Sequence, residues 1–169
     1  MAQSEKSGQN QNQSASFLAK VIVIGLVGGI LWSFIAYLAS IVNLTEISPN
    51  LILQPWTLGA WKDKALGNFI SILLIGVISI VAALIYFAAL KRFKSIFVGM
   101  VYGVALWAIV FYLLNPVFPN LKTVKELEMN TVITTLCLYI LYGVFVGYSI
   151  SFEAAELETA SQTEGANEG

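Results

Sequence analysis

The chain has 169 residues, 57% of them apolar and 11% charged. Soluble domains run near about 45–50% apolar and about 25% charged, so this composition belongs in a bilayer. A net charge of −1 leaves no basic face for nucleic acid, and the lack of histidine removes both the commonest metal ligand and the usual general base.

Residues 1–16 are rich in Gln, Ser and Asn and hold too little apolar area to offset the entropy of ordering, so a disordered tail is expected there. Lys20 then precedes a charge-free run, residues 21–42. At about 1.5 Å per residue this run reaches roughly 33 Å, enough to cross a hydrocarbon core of about 30 Å. It is too long for the h-region of a signal peptide and reads as a retained anchor.

Residues 43–64 form the first connection, with Pro49, Pro55, Trp56, Trp61 and the run Leu51-Ile52-Leu53. This stretch is too apolar for a solvated loop and too broken for a span. It is expected to lie on the membrane, wholly interfacial or partly re-entrant. Trp56, Trp61, Lys62 and Lys64 are the candidate interfacial anchors, since an indole ring has one wet and one dry edge.

A second charge-free span covers residues 65–90. Lys91-Arg92-Phe93-Lys94 allows only a tight turn before a third span at 95–114, which makes spans two and three antiparallel neighbours. The run Asn115-Pro116-Val117-Phe118-Pro119-Asn120 is a proline-bracketed turn, and a fourth span covers 131–152. Thr123-Val124-Lys125-Glu126 has capping-box form: the Thr hydroxyl can accept an amide at N3, and the Glu can reach back to the cap amide. One continuous helix from near residue 123 is therefore expected.

Residues 153–169 hold glutamates and no lysine or arginine. The first turns of this acidic tail can continue the fourth helix, and the rest is expected to be disordered. Cys137, the single cysteine, excludes an intrachain disulfide and reads as a small buried hydrophobe.

The pattern is that of an all-α polytopic membrane protein, four transmembrane helices in two hairpins with disordered tails. Lys6, Lys20, Lys91, Arg92 and Lys94 fall on one side, and Lys62, Lys64, Lys122 and Lys125 on the other. Short loops near span ends weigh most in the positive-inside rule, so both termini are placed in the cytoplasm of a multi-pass plasma-membrane protein.

None of the four runs contains Asp, Glu, Lys, Arg or His. Such residues mark proton relays and ion pathways, so ion-coupled transport is disfavoured. The spans do carry hydroxyls able to bond across helices: Ser71, Ser79, Thr134, Thr135, Tyr139, Tyr142 and Ser149. Glycine is the informative residue. Gly25-x-x-x-Gly29, Gly99-x-x-x-Gly103 and Gly143-x-x-x-Gly147 each put two glycines on one helix face, where backbones can approach closely. Such faces serve a close-packed monomeric bundle or an oligomer or partner. Gly25 to Trp32 also echoes Gly99 to Trp107 with one residue of slippage, a faint parallel repeat of hairpins.

At Asn115 to Glu126, Met129 to Thr135 and Leu138 to Glu153 the sequence resembles the YqhR family of conserved membrane proteins from Bacillus-like bacteria. Gly59-Ala-Trp-Lys62 and Ala65-Leu-Gly67 also fit. The resemblance covers residues 17–157. It implies a four-helix plasma-membrane protein and carries no catalytic residue, cofactor or substrate.

Three functions are compatible with these features. The favoured one is a non-enzymatic interaction or accessory subunit, in contact with lipid and with another membrane protein or a second copy of itself through its glycine-rich faces. The alternative is a small-solute permease or channel formed by a homo-oligomer, with a hydroxyl-lined path along Thr134, Thr135, Tyr139 and Tyr142. A lipid-active enzyme would have to rely on Glu46, Asp63, Glu126 and Glu128, whose spacing is the ordinary pattern of a solvated surface. No catalytic residue, cofactor, metal or nucleic-acid partner is expected.

Overall fold

The computed structural model describes residues 2–53, 55, 65–90, 95–113 and 124–167. Helix α1 runs from Ala2 to Ile41, α2 from Ala65 to Leu90, α3 from Ile96 to Ala108 and α4 from Met129 to Asn167. A short 3-10 turn, Pro49–Leu53, sits in the first connection, and α3 passes into a wider π turn, Ile109–Leu113. Among the described residues there is no strand. Four segments are long and apolar enough to cross a membrane: Ala15–Ile41, Leu66–Ala89, Ile96–Leu113 and Met129–Leu157.

The helices pair as two antiparallel hairpins, α1 with α2 and α3 with α4, and α1 also lies along α4. Helices α2 and α3 meet chiefly through tyrosine side chains rather than backbone to backbone, which modifies the neighbour relation inferred from their short connection. One buried cluster, around Val21, Tyr86, Tyr102, Tyr142, Val146 and Ile150, fills the half of the bundle nearer the termini. A second, around Trp107, Phe111 and Leu127, fills the opposite half.

The end of α1 shows why the first connection starts where it does. Asn43 adopts φ of 57°, a left-handed conformation that Asn tolerates better than most residues. The Leu44 amide then reaches the Ala39 carbonyl at 2.9 Å and the Asn43 amide reaches Ser40 at 3.3 Å. This is the paired bonding of a Schellman motif, which satisfies carbonyls the helix would otherwise leave open.

Helix α1 takes in residues 2–16, and α4 continues to Asn167. Extending an existing helix avoids the nucleation cost, and neither segment contains proline. The fourth helix does not begin near residue 123: residues 124–126 form a turn and α4 starts at Met129. That break lets Leu127 turn inward to be buried with Trp107 and Phe111. In the described part of the first connection, Thr45, Pro49 and Leu53 are buried within the protein rather than lying on the membrane. Finally, Cys137 is exposed on the lipid-facing side of α4.

Candidate functional site

Each hairpin is closed by small residues that bring backbones together. In the first, a Cβ built on Gly29 would stand 2.4 Å from the Ser79 Cβ and 2.8 Å from the Gly76 Cα. One built on Gly25 would meet Ala83 Cβ at 2.8 Å and Ile80 Cα at 2.9 Å. In the second hairpin the glycines of both helices face one another. A Cβ on Gly143 would lie 2.3 Å from the Gly99 carbonyl oxygen and 2.7 Å from the Gly103 Cα. A Cβ on Gly103 would lie 2.3 Å from the Tyr139 carbonyl oxygen, and one on Gly147 would meet the Tyr86 hydroxyl at 2.8 Å. All six glycines therefore look inward, at this chain's own helices.

Between the hairpins the contact is made by side chains, and its centre is polar. The Ser79 hydroxyl donates to the Gly25 carbonyl at 2.7 Å, so the Tyr142 hydroxyl, 2.5 Å away, donates to Ser79. The Tyr102 hydroxyl crosses from α3 to the Ala82 carbonyl of α2 at 2.6 Å, with its ring edge-on to Tyr86. In a medium without water these bonds satisfy groups that would otherwise be costly to bury.

At the end away from the termini, residues 44–53 form a strap across the bundle. The Glu46 amide donates to the Thr131 hydroxyl at 2.9 Å, and the Thr134 hydroxyl donates to the Leu44 carbonyl at 3.2 Å. The Ser48 hydroxyl donates to Asn68 Oδ1 at 2.7 Å, so the strap is held by both α2 and α4. Ile47 and Leu51 pack against the Trp107 cluster. The Trp107 indole in turn donates to Thr135 at 3.1 Å, and Thr135 donates to the Thr131 carbonyl at 2.7 Å. Sequence reasoning identified the threonines as polar groups but not the strap they hold. The available signal was the aliphatic content of residues 44–53, which asks for burial.

At the terminal end Lys20 pairs with Glu153, joining α1 to α4. Phe17 packs edge-on against Phe87, and Ala154 and Leu157 join the same cluster.

Of the remaining predicted site residues, Asn115, Pro116, Pro119, Thr123, Trp56, Trp61, Lys62 and Lys64 lie outside the described residues, as does Asp63. Glu126 and Glu128 are exposed near the strap end, and Glu46 is exposed on the strap itself. Of the four hydroxyl residues proposed to line a path, Thr135 and Tyr142 are buried and bonded, and Thr134 is bonded to the strap. Among the described residues no group of three His, Cys, Asp or Glu side chains could hold a metal ion.

Four apolar spans, a belt of lipid-facing Leu, Ile, Val and Phe, and a polar seam satisfied inside the bundle define a multi-pass helical membrane protein. The match to the family described as "Conserved membrane protein YqhR" extends over residues 2–165. The chain is 53% identical over 157 residues to "Uncharacterized protein YqhR" of Bacillus subtilis (strain 168), covering 93% of this chain and 88% of that protein. The chain belongs to the YqhR family. No solved structure matches it.

Proposed function

We propose that this chain is a non-enzymatic accessory subunit of the bacterial plasma membrane, both termini cytoplasmic, that works by contact with another membrane protein. The observation that carries the reading is the paired projection at the terminal end. Helix α1 begins at Ala2, well before its span starts at Ala15, and α4 runs to Asn167, well past the end of its span at Leu157. At about 1.5 Å per residue the two extend roughly 20 and 15 Å beyond the spans. The Lys20–Glu153 pair and the packing of Phe17, Ala154 and Leu157 fix their bases side by side. In this reading the glycine faces, turned toward their own hairpin partners, hold the bundle together, and the projecting helices meet the partner.

The experiment is affinity purification from native membranes in a mild detergent, with the mass and components of the complex determined. The full chain is expected to bring down a discrete partner, and a chain lacking residues 2–14 and 158–169 is expected to insert normally and lose it. Recovery of the full chain as a lone monomer would refute the reading. Recovery as a pure homo-oligomer would move the solute-permease reading to the front, to be tested by flux into liposomes.

A further inference from the structure

Two indole N–H groups are described inside this membrane domain, and they differ. Trp107 donates to Thr135, whereas the Trp32 Nε1 is fully buried with no protein acceptor. The same contrast divides the serines. The Ser33 hydroxyl folds back onto the Gly29 carbonyl at 2.6 Å and that of Ser40 onto Tyr37 at 2.7 Å. This is the usual retreat for a hydroxyl in a helix within lipid. Ser71 is wholly buried, does not make that bond and has no other partner. The Tyr86 hydroxyl is a different case, because Ser151 lies beside it.

Trp32 and Ser71 stand on the two paired helices of the first hairpin. Trp32 is one turn along α1 from Gly28, where an added Cβ would meet the Phe145 ring at 3.0 Å and the Tyr142 ring at 3.4 Å, so this face addresses α4. Ser71 is buried on α2 one turn from Asn68, which accepts the Ser48 hydroxyl of the strap. Both residues stand on the strap side of the Ser79–Tyr142 bond: Trp32 follows Gly29 on the ascending α1, and Ser71 precedes Ser79 on the descending α2.

We propose that the protein binds water at two buried groups of the first hairpin, the Trp32 indole N–H and the Ser71 hydroxyl. An indole offers only a donor and a serine hydroxyl offers both a donor and acceptors, so a water molecule can complement either group. Buried waters characteristically satisfy polar groups the protein leaves open, and within membranes they do so only inside the protein. The spans carry no charged side chain facing these groups that would call for an ion instead. The inference is independent of any partner at the projecting helices.

The test is water-edited solid-state NMR of the full chain in phospholipid bilayers, following magnetisation transfer from water to side-chain sites. Build-up at the Trp32 indole is expected to be several-fold faster than at the Trp107 indole. Ser71 Cβ is expected to build up several-fold faster than Ser33 Cβ. Trp32→Phe identifies the Trp32 signal, and a chain retaining Trp32 as its sole tryptophan does so if that variant fails to insert. Trp32 and Ser71 building up as slowly as Trp107 and Ser33 would overturn the proposal.

Discussion

Gly143→Ala tests the closure of the second hairpin most severely. The new methyl would sit 2.3 Å from the Gly99 oxygen, 2.6 Å from the Gly103 nitrogen and 2.7 Å from the Gly103 Cα. All three are backbone atoms of α3, so no side chain can rotate away. Restoring ordinary contact requires α3 and α4 to separate by about 1 Å, which loosens the neighbouring contacts of Gly99, Gly103 and Gly147 as well. Overpacking of this kind costs about 1–3 kcal/mol and sometimes more, while replacing glycine by alanine in a helix returns about 1 kcal/mol. Three simultaneous backbone clashes put this site at the upper end, for a net loss of about 2 kcal/mol. Gly28→Ala is the matched control, because its methyl would meet only the Phe145 and Tyr142 rings at 3.0 Å and beyond. Reversible unfolding in bicelles should show Gly143→Ala clearly destabilised and Gly28→Ala within about 1 kcal/mol of the parent. Equal stability of Gly143→Ala and the parent would refute a seam closed backbone to backbone.

Other perturbations address single contacts. Tyr142→Phe removes the donor to Ser79 while leaving the Ser79 bond to Gly25, and a double-mutant cycle with Ser79→Ala should give a coupling of about 0.5–1 kcal/mol; a coupling of zero would show that the hydroxyls do not interact. Asn43→Val forces a β-branched residue into the left-handed region and should lower stability by about 1–2 kcal/mol, whereas Asn43→Gly should be tolerated; the reverse order in thermal melts would contradict the Schellman ending of α1. Thr131→Val removes the acceptor of the Glu46 amide, so hydrogen exchange at Glu46 should accelerate while the amides near Gly25 and Gly143 stay protected. Unchanged exchange at Glu46 would mean that the strap does not depend on that bond.

The four spans were legible because their signal is composition sustained over a membrane's thickness, which no local detail can cancel. The ending of α1 at Asn43 is legible only as a boundary; its left-handed turn depends on backbone bonds that do not show in residue types. The first connection, residues 43–64, reads as interfacial because of its tryptophans and prolines. Its described part, residues 43–53 and Pro55, is governed instead by what it meets: Thr131 and Thr134 arrive from a helix far along the chain, and pairwise contact of that kind leaves no periodic trace. The start of α4 was misplaced for a related reason. The capping-box pattern at 123–126 is a local preference, and burial of Leu127 beneath the strap outweighs it. As for the polar seam, single hydroxyls were visible in the sequence, but whether Ser71 turns back on its own helix or away from it is decided by side-chain rotation.

The strap ties the order of synthesis to the order of assembly. Residues 44–53 leave the ribosome between the first two spans, yet Thr131 and the Trp107 cluster that hold them belong to the last two. The first hairpin can close its own glycine seam on its own, since Gly25, Gly29, Gly76 and Ser79 all precede the second. Its connecting segment, by contrast, carries aliphatic side chains and an amide whose partner is made 85 residues later. Until α4 is in place the strap is moored to the first hairpin alone, through Ser48 and Asn68, and its docking on Thr131 and Thr134 then adds to the contacts that join the two hairpins.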